Sequence, residues 1–135
     1  FGASAATSFT VVSDTQITAT APSSTAGPVN ITVTTPGGTS NGVAYTYLPA
    51  PTLTSAVPGQ GPISGGNTVT LTGTDLTTTT AVKFGTTLAA FTVVSDTQLV
   101  ATAPPGTAGP VNLTVATPGG TSNGLPYARL LPPSL

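Results

Sequence analysis

The chain contains one 37-residue block twice. Phe9 to Tyr45 reads FTVVSDTQITATAPSSTAGPVNITVTTPGGTSNGVAY, and Phe91 to Tyr127 reads FTVVSDTQLVATAPPGTAGPVNLTVATPGGTSNGLPY. The offset is a constant 82, and 29 of the 37 aligned positions are identical. Five of the eight differences are mild, among them Ile17/Leu99, Ile31/Leu113 and Val43/Leu125. Repetition at a fixed period limits the fold to one supersecondary plan used more than once. The match also runs past the block. Phe1-Gly2 pairs with Phe84-Gly85, with one extra residue in the first copy before Phe9, and Pro133-Ser134-Leu135 pairs with Pro51-Thr52-Leu53. The expected organisation is therefore the C-terminal half of a repeat at 1–48, a complete repeat at 49–130, and the start of a further repeat at 131–135. The expected setting is a window cut from a longer tandem array.

A unit of roughly 80 residues buries a modest core. With 30 Thr, 16 Gly and 14 Pro, the chain favours half-buried pleated strands joined by tight turns. Apolar alternation at low charge argues against disorder, which usually pairs low hydrophobicity with high net charge. Within the complete copy, Val69 and Leu71 alternate with Thr68, Thr70 and Thr72. Val82 and Phe84 flank an outward Lys83, Leu99, Ala101 and Ala103 share a face, and Val111, Leu113 and Val115 alternate with Asn112 and Thr114. Each is a period-two strand signature. Pro58–Gly66, Asp75–Thr80 and Pro104–Pro110 read as loops, and Thr121–Tyr127 as the return strand of a hairpin about Pro118-Gly119-Gly120. About seven short strands in about 80 residues, punctuated every 8–12 residues, predict an all-β, immunoglobulin-like antiparallel sandwich of two sheets.

Residues 1–48 lack equivalents of Leu53, Val69, Leu71 and Val82. Phe9, Ile17, Val29, Ile31 and Val33 are thus expected to have no opposing sheet. The missing strands are either truncated away or supplied in trans by strand complementation.

Reactive chemistry is sparse. His, Cys, Met, Trp and Glu are absent, and Asp14, Asp75, Asp96, Lys83 and Arg129 are the whole charge complement, with a net charge of −1. No group titrates near neutrality to serve as general acid or base. Asp75 and Asp96 are the one carboxylate pair worth testing as a glycosidase couple. Asp96 has a twin in Asp14, in the same Ser-Asp-Thr turn, where a side chain capping its own backbone explains both. No cofactor and no metal site is expected, because a calcium loop needs several oxygen ligands together. Two cations cannot neutralise a phosphate backbone, so nucleic acid is excluded as a partner. Absence of Cys rules out disulfides. Two N-x-Thr sequons, at Asn30 and Asn112, are candidate glycosylation acceptors on outward positions.

The ordered motifs Pro51-Thr-Leu-Thr-Ser-Ala-Val-Pro58, Gly61-Pro-Ile-Ser-Gly-Gly66, Val69-Thr-Leu-Thr-Gly73, Val82-Lys-Phe-Gly85, Val94-Ser-Asp-Thr-Gln98, Ala103-Pro104 and Val115–Gly120 resemble the IPT/TIG family. The resemblance covers 51–127 and the partial copies on either side. It implies an immunoglobulin-like sandwich without a disulfide, and it is shared by bacterial surface arrays, spacers of polysaccharide enzymes, receptor ectodomains and transcription factors. Fold therefore does not settle function. The surviving expectation is a non-catalytic spacer or adhesive stalk of an exported bacterial surface protein. Its partners would be neighbouring repeats of the same chain, with no membrane span in this segment. One alternative is a self-assembling fibre or virion-associated subunit whose identical chains pack through low-charge Thr faces. The other is an accessory module beside a polysaccharide-active domain, which exposed aromatic rings would favour. An intramolecular Lys–Asn crosslink, found in some surface arrays, would need Lys83 buried, whereas the alternation turns it outward. The linker Leu48-Pro49-Ala50-Pro51 is expected to be short and stiff.

Overall fold

The computed structural model describes residues 1–134 and contains strands without helices among them. The chain divides into two compact units, Phe1–Leu48 and the unit that begins at Pro49.

The first unit holds β1 (Ser8–Ser13), β2 (Gln16–Thr20), β3 (Gly27–Ile31), β4 (Thr34–Thr35), β5 (Gly38–Thr39) and β6 (Val43–Tyr47). They pair antiparallel as three two-stranded ladders, β1–β2, β3–β6 and β4–β5. Phe9 faces Ala19, Val11 faces Ile17, and Val29 faces Tyr45. The ladders are closed by the turns that the Ser-Asp-Thr and Pro-Gly-Gly runs provide. What they lack is cover. Phe9 is 67% exposed, Val11 62% and Ile17 40%, while Val29 and Ile31 are half-buried.

The second unit holds β7 (Thr52–Val57), β8 (Gln60–Pro62), β9 (Thr68–Thr74), β10 (Ala81–Phe84), β11 (Thr87–Ala89), β12 (Phe91–Ser95), β13 (Gln98–Thr102), β14 (Gly109–Thr117), β15 (Gly120–Thr121) and β16 (Leu125–Leu130). One sheet has the order β7-β9-β13-β12, and the other β11-β10-β14-β16-β8, with β15 pairing β14. Period-two alternation does what the sequence predicts. Val69, Leu71, Val82, Leu99, Leu113 and Val115 are fully buried between the sheets, with Leu53, Phe84, Ala101, Ala103 and Tyr127 beside them. Lys83 is exposed on the outer face of β10. Phe84 and Tyr127 meet edge to face at 5.0 Å, the arrangement that the ring quadrupoles favour.

Several segments differ from the expectation. Pro58–Gly66 is not wholly a loop, because β8 pairs parallel with β16, Gly61 opposite Arg129. This pairing follows a cis Val57–Pro58 peptide. Asp75–Thr80 is not merely polar either. Asp75 turns through the left-handed region (φ 59°), and Leu76 enters the core fully buried, its N–H donating to the Asp96 carbonyl at 3.0 Å. Asp and Asn tolerate that region better than other side chains. β11 adds a short edge strand on β10. Gly73 is required by packing: β7 is bulged between Leu53 and Ser55, and a Cβ on Gly73 would overlap the Thr52 carbonyl. The expected further repeat at 131–135 ends on Leu135, which lies outside the described residues; 131–134 form no strand.

Candidate functional site

The carboxylates have structural work. Asp96 Oδ1 accepts from the Thr77 hydroxyl at 2.8 Å and from the Thr77 N–H at 3.4 Å. It thereby ties the β12–β13 turn to the β9–β10 loop. The turn itself is capped by serine, since the Thr97 N–H donates to Ser95 Oγ at 3.3 Å and the Thr15 N–H to Ser13 Oγ at 3.2 Å. The expectation that Asp14 and Asp96 cap their own turns is thus corrected. A Ser hydroxyl two residues back offers the shorter route to that N–H, leaving the Asp free to reach another loop. Asp75 serves the turn described above. Asn30 and Asn112 are both exposed, each leaning over the glycine that precedes the neighbouring strand, Gly42 before β6 and Gly124 before β16.

A buried polar group at the β8 edge was hidden from the sequence reading. Asn67 Nδ2 donates to the Tyr127 hydroxyl at 2.9 Å, while the Ala103 N–H donates to the Asn67 carbonyl at 2.9 Å. Arg129 is only 6% exposed, and its guanidinium lies against Gly106, where any Cβ would overlap it. Its Nε and Nη2 are buried without a protein acceptor among the described residues. The equivalent positions in the first copy are Tyr47 and Ser24. There the Tyr47 hydroxyl donates to the Pro22 carbonyl at 2.7 Å. Burial pushes the Tyr47 phenol above its ordinary value, and the neighbouring Tyr45 adds to the effect. The longer, cationic side chain thus coincides with the loop residue that has no Cβ.

A second device holds β7 in place. The Leu53 N–H donates to Asn123 Oδ1 at 2.9 Å, and Asn123 Nδ2 donates back to the Leu53 carbonyl at 3.0 Å. Asn123 is positioned by Ser122, whose Oγ accepts from the Val115 N–H at 2.9 Å and donates to the Asn123 carbonyl at 2.9 Å.

The aromatic residues of the first unit do not form a flat platform. Phe1 meets Tyr45 at 5.2 Å and 85°, and Tyr45 meets Tyr47 at 5.2 Å and 80°. Rings this close to perpendicular present edges in alternation, and Tyr45 repeats the place of the buried Tyr127. Beside them opens a cleft of about 440 Å³ lined by Phe1, Phe9, Ile17, Ala19, Ile31 and Val33.

The strand order of the second unit corresponds to A-B-E-D for β7-β9-β13-β12 and C-F-G for β10-β14-β16, which defines an immunoglobulin-like β-sandwich. The IPT/TIG domain model matches residues 1–47 and 51–128. The chain belongs to the IPT/TIG family. No protein of curated function matches it in sequence. Similar solved structures include the full extracellular region of plexin A4 (20% identity, TM-score 0.58, covering 84% of this chain and 11% of that one). The gamma-CGTase of alkalophilic Bacillus clarkii is similar at 26% identity and TM-score 0.54, covering 70% of this chain and 14% of the enzyme. An SGBP-B of a Bacteroides ovatus mixed-linkage glucan utilization locus, solved with a mixed-linkage heptasaccharide, is similar at 18% identity and TM-score 0.50, covering 93% and 36%. The chain thus spans about a third or less of each of these proteins.

Proposed function

We propose that this chain is a non-catalytic structural module of an exported bacterial surface protein, an immunoglobulin-like spacer or adhesive stalk whose immediate partners are neighbouring repeats. The observation that carries the reading is how the few chemically capable side chains are used. Asp96 is held by Thr77 at the surface, Asn67 by Tyr127, and Asn123 by the β7 backbone, each spent on a hydrogen bond within the fold. What faces outward from the strands is mainly Thr, in a chain of net charge −1. Such a surface gives neither a reaction centre nor an electrostatic footprint. Membership of longer, multidomain proteins among the similar structures supports the same role. The test is an antiserum raised on the 135-residue chain and applied to intact cells of the source organism. Surface labelling without permeabilisation is expected; labelling only after lysis would overturn the exported reading.

The accessory role beside a polysaccharide-active domain has one observation in its favour, the likeness to gamma-CGTase. The perpendicular rings of Phe1, Tyr45 and Tyr47 argue against a direct sugar platform in this segment. Calorimetric titration with a mixed-linkage gluco-oligosaccharide is expected to give no binding heat; saturable heat would favour the accessory reading.

A further inference from the structure

We propose that Asn123-Gly124 is a self-modification site, which deamidates without an enzyme to aspartate or isoaspartate, and that β7 both gates the reaction and is loosened by it. This is a property beyond the spacer role, and it concerns a side chain that the fold uses as a clamp.

The chemistry is set by the neighbours of Asn123. Glycine follows it, so no Cβ shields the next backbone nitrogen and that backbone turns freely. The Gly124 N–H donates to no backbone carbonyl among the described residues. Ser122 Oγ donates to the Asn123 carbonyl at 2.9 Å. A donor there polarises the Asn123–Gly124 peptide and makes its N–H more acidic. Once that proton passes to solvent, the Gly124 nitrogen attacks Asn123 Cγ. An N–C bond forms, the Cγ–Nδ2 bond breaks, and ammonia leaves with a proton taken from solvent. Water then opens the cyclic imide at either carbonyl, giving aspartate, or isoaspartate in which the peptide runs through the side chain. Nothing is oxidised or reduced, and solvent water is the co-reactant. Asn123 and Gly124 are both exposed, so water reaches the imide.

The fold holds this reaction back. Both ends of the Asn123 amide are committed to β7, Oδ1 accepting from the Leu53 N–H at 2.9 Å and Nδ2 donating to the Leu53 carbonyl at 3.0 Å. Ring closure needs the amide to turn face-on to the Gly124 nitrogen, and loss of Nδ2 needs its bond to be given up. Conversion therefore proceeds from the fraction of molecules in which the clamp is open. Asn41-Gly42 supplies the comparison. Pro36–Gly42 has the same sequence as Pro118–Gly124. Ser40 Oγ accepts from the Val33 N–H at 2.9 Å and donates to the Asn41 carbonyl at 2.9 Å, the bonds that Ser122 makes around Asn123. Activation is thus matched at the two sites, while the bonds to a Leu53 backbone are made by Asn123 alone among the described residues. Conversion also acts back on β7. An amide satisfies the N–H and the carbonyl of one residue together. A carboxylate only accepts, so its second oxygen stands against the Leu53 carbonyl and drives the group out of register. Leu53 is a core residue, 4% exposed, beside the bulge of β7, so the strand loosens at its inner anchor.

The experiment ages the 135-residue chain in mildly alkaline buffer made with heavy-oxygen water and follows the peptides around both sites by mass spectrometry. Asn41 is expected to convert first, with Asn123 at least about 10-fold slower in the folded chain, each product carrying solvent oxygen. In concentrated urea the two rates are expected to coincide. Equal rates in the folded chain would overturn the gate. A lag that persists in urea would assign it to local sequence and overturn the gate equally. An Asn123 that stays intact until the chain unfolds would remove the site. Loosening of β7 is read by amide exchange at Leu53 and along β7, in aged chain of an Asn41→Ala background, where the added negative charge separates the Asn123 product on an ion-exchange column. The same reading is taken on unaged Asn123→Asp. Exchange at least about 10-fold faster in β7 is expected in both, with Leu113 in β14 unchanged. Exchange in β7 that is unmoved in both forms would refute the coupling to that strand, whatever the rate of conversion.

Discussion

Leu99 and Ile17 occupy the same place in the two copies, on identical turns and next to near-identical neighbours. Leu99 is fully buried between β9 and β12, while Ile17 is 40% exposed. Truncation should therefore cost different amounts. Leu99→Ala removes a buried side chain from a filled core and is expected to destabilise the second unit by about 2–5 kcal/mol, transfer and cavity terms together. For a unit of this size, about 4–8 °C per kcal/mol makes that a fall in Tm of about 8–40 °C. Ile17→Ala removes a side chain that is already partly hydrated and lines an open cleft. Full burial of such a side chain is worth about 1.5–3 kcal/mol; with much of that unrealised and no closed cavity left behind, a loss of about 1 kcal/mol or less is expected. Urea unfolding, followed separately through the ring resonances of Tyr127 and Tyr45, reads the two units in one sample. Equal losses at the two sites would refute the claim that cover, rather than local strand sequence, sets the energetics.

Gly73→Ala forces a Cβ against the Thr52 carbonyl and is expected to loosen β7, costing about 1–3 kcal/mol in denaturant midpoint, whereas alanine at exposed Thr72 should be near neutral. Gly106→Ser should destabilise the second unit by crowding the Arg129 guanidinium, and Arg129→Tyr in the same chain should recover much of the loss; a double-mutant cycle with no coupling would contradict the pairing. The Tyr47 phenol is raised above 10.0 by desolvation and then by Tyr45, so the folded first unit holds that proton more tightly than the unfolded chain. Its contribution is complete below pH 10 and is lost as the pH rises through the folded value; the ultraviolet titration of phenolate should lose a step above pH 10 in Tyr47→Phe.

Most of the core was legible because strand alternation is a local property. Val69/Leu71, Val82/Phe84 and Leu99/Ala101/Ala103 each declare an inward face within a few residues. What escaped depended on distant partners or on a conflict between residue type and position. Leu76 sits among Thr residues, and only the positive φ of Asp75 and the Asp96 carbonyl bring it inside. β8 has no alternation to show, and its parallel partner lies more than 60 residues away. Asn123 finds the Leu53 backbone across 70 residues. Arg129 was legible in principle, since Leu125, Tyr127 and Arg129 share parity on β16, but a charged residue is seldom read as inward. Comparing the copies supplies the missing signal: Ser24 with Tyr47 becomes Gly106 with Arg129, a paired change that the contact explains.

The near-identity of the copies has a further physical consequence. The faces that a half-repeat must recognise, β2 with β3 and β13 with β14, differ at few positions, and three of those are Ile17/Leu99, Thr18/Val100 and Ile31/Leu113. A strand set such as β7–β9–β10 therefore has two faces that suit it almost equally, and side-chain chemistry alone discriminates weakly between them. Specificity then rests on connection: the chain from Lys83 runs directly through Phe84-Gly85 into its own second half, whereas reaching the first half would break that continuity. Adjacent repeats this alike are prone to exchange elements between domains. The prolines at 49 and 51, by stiffening the segment between β6 and β7, oppose the excursion that exchange would need.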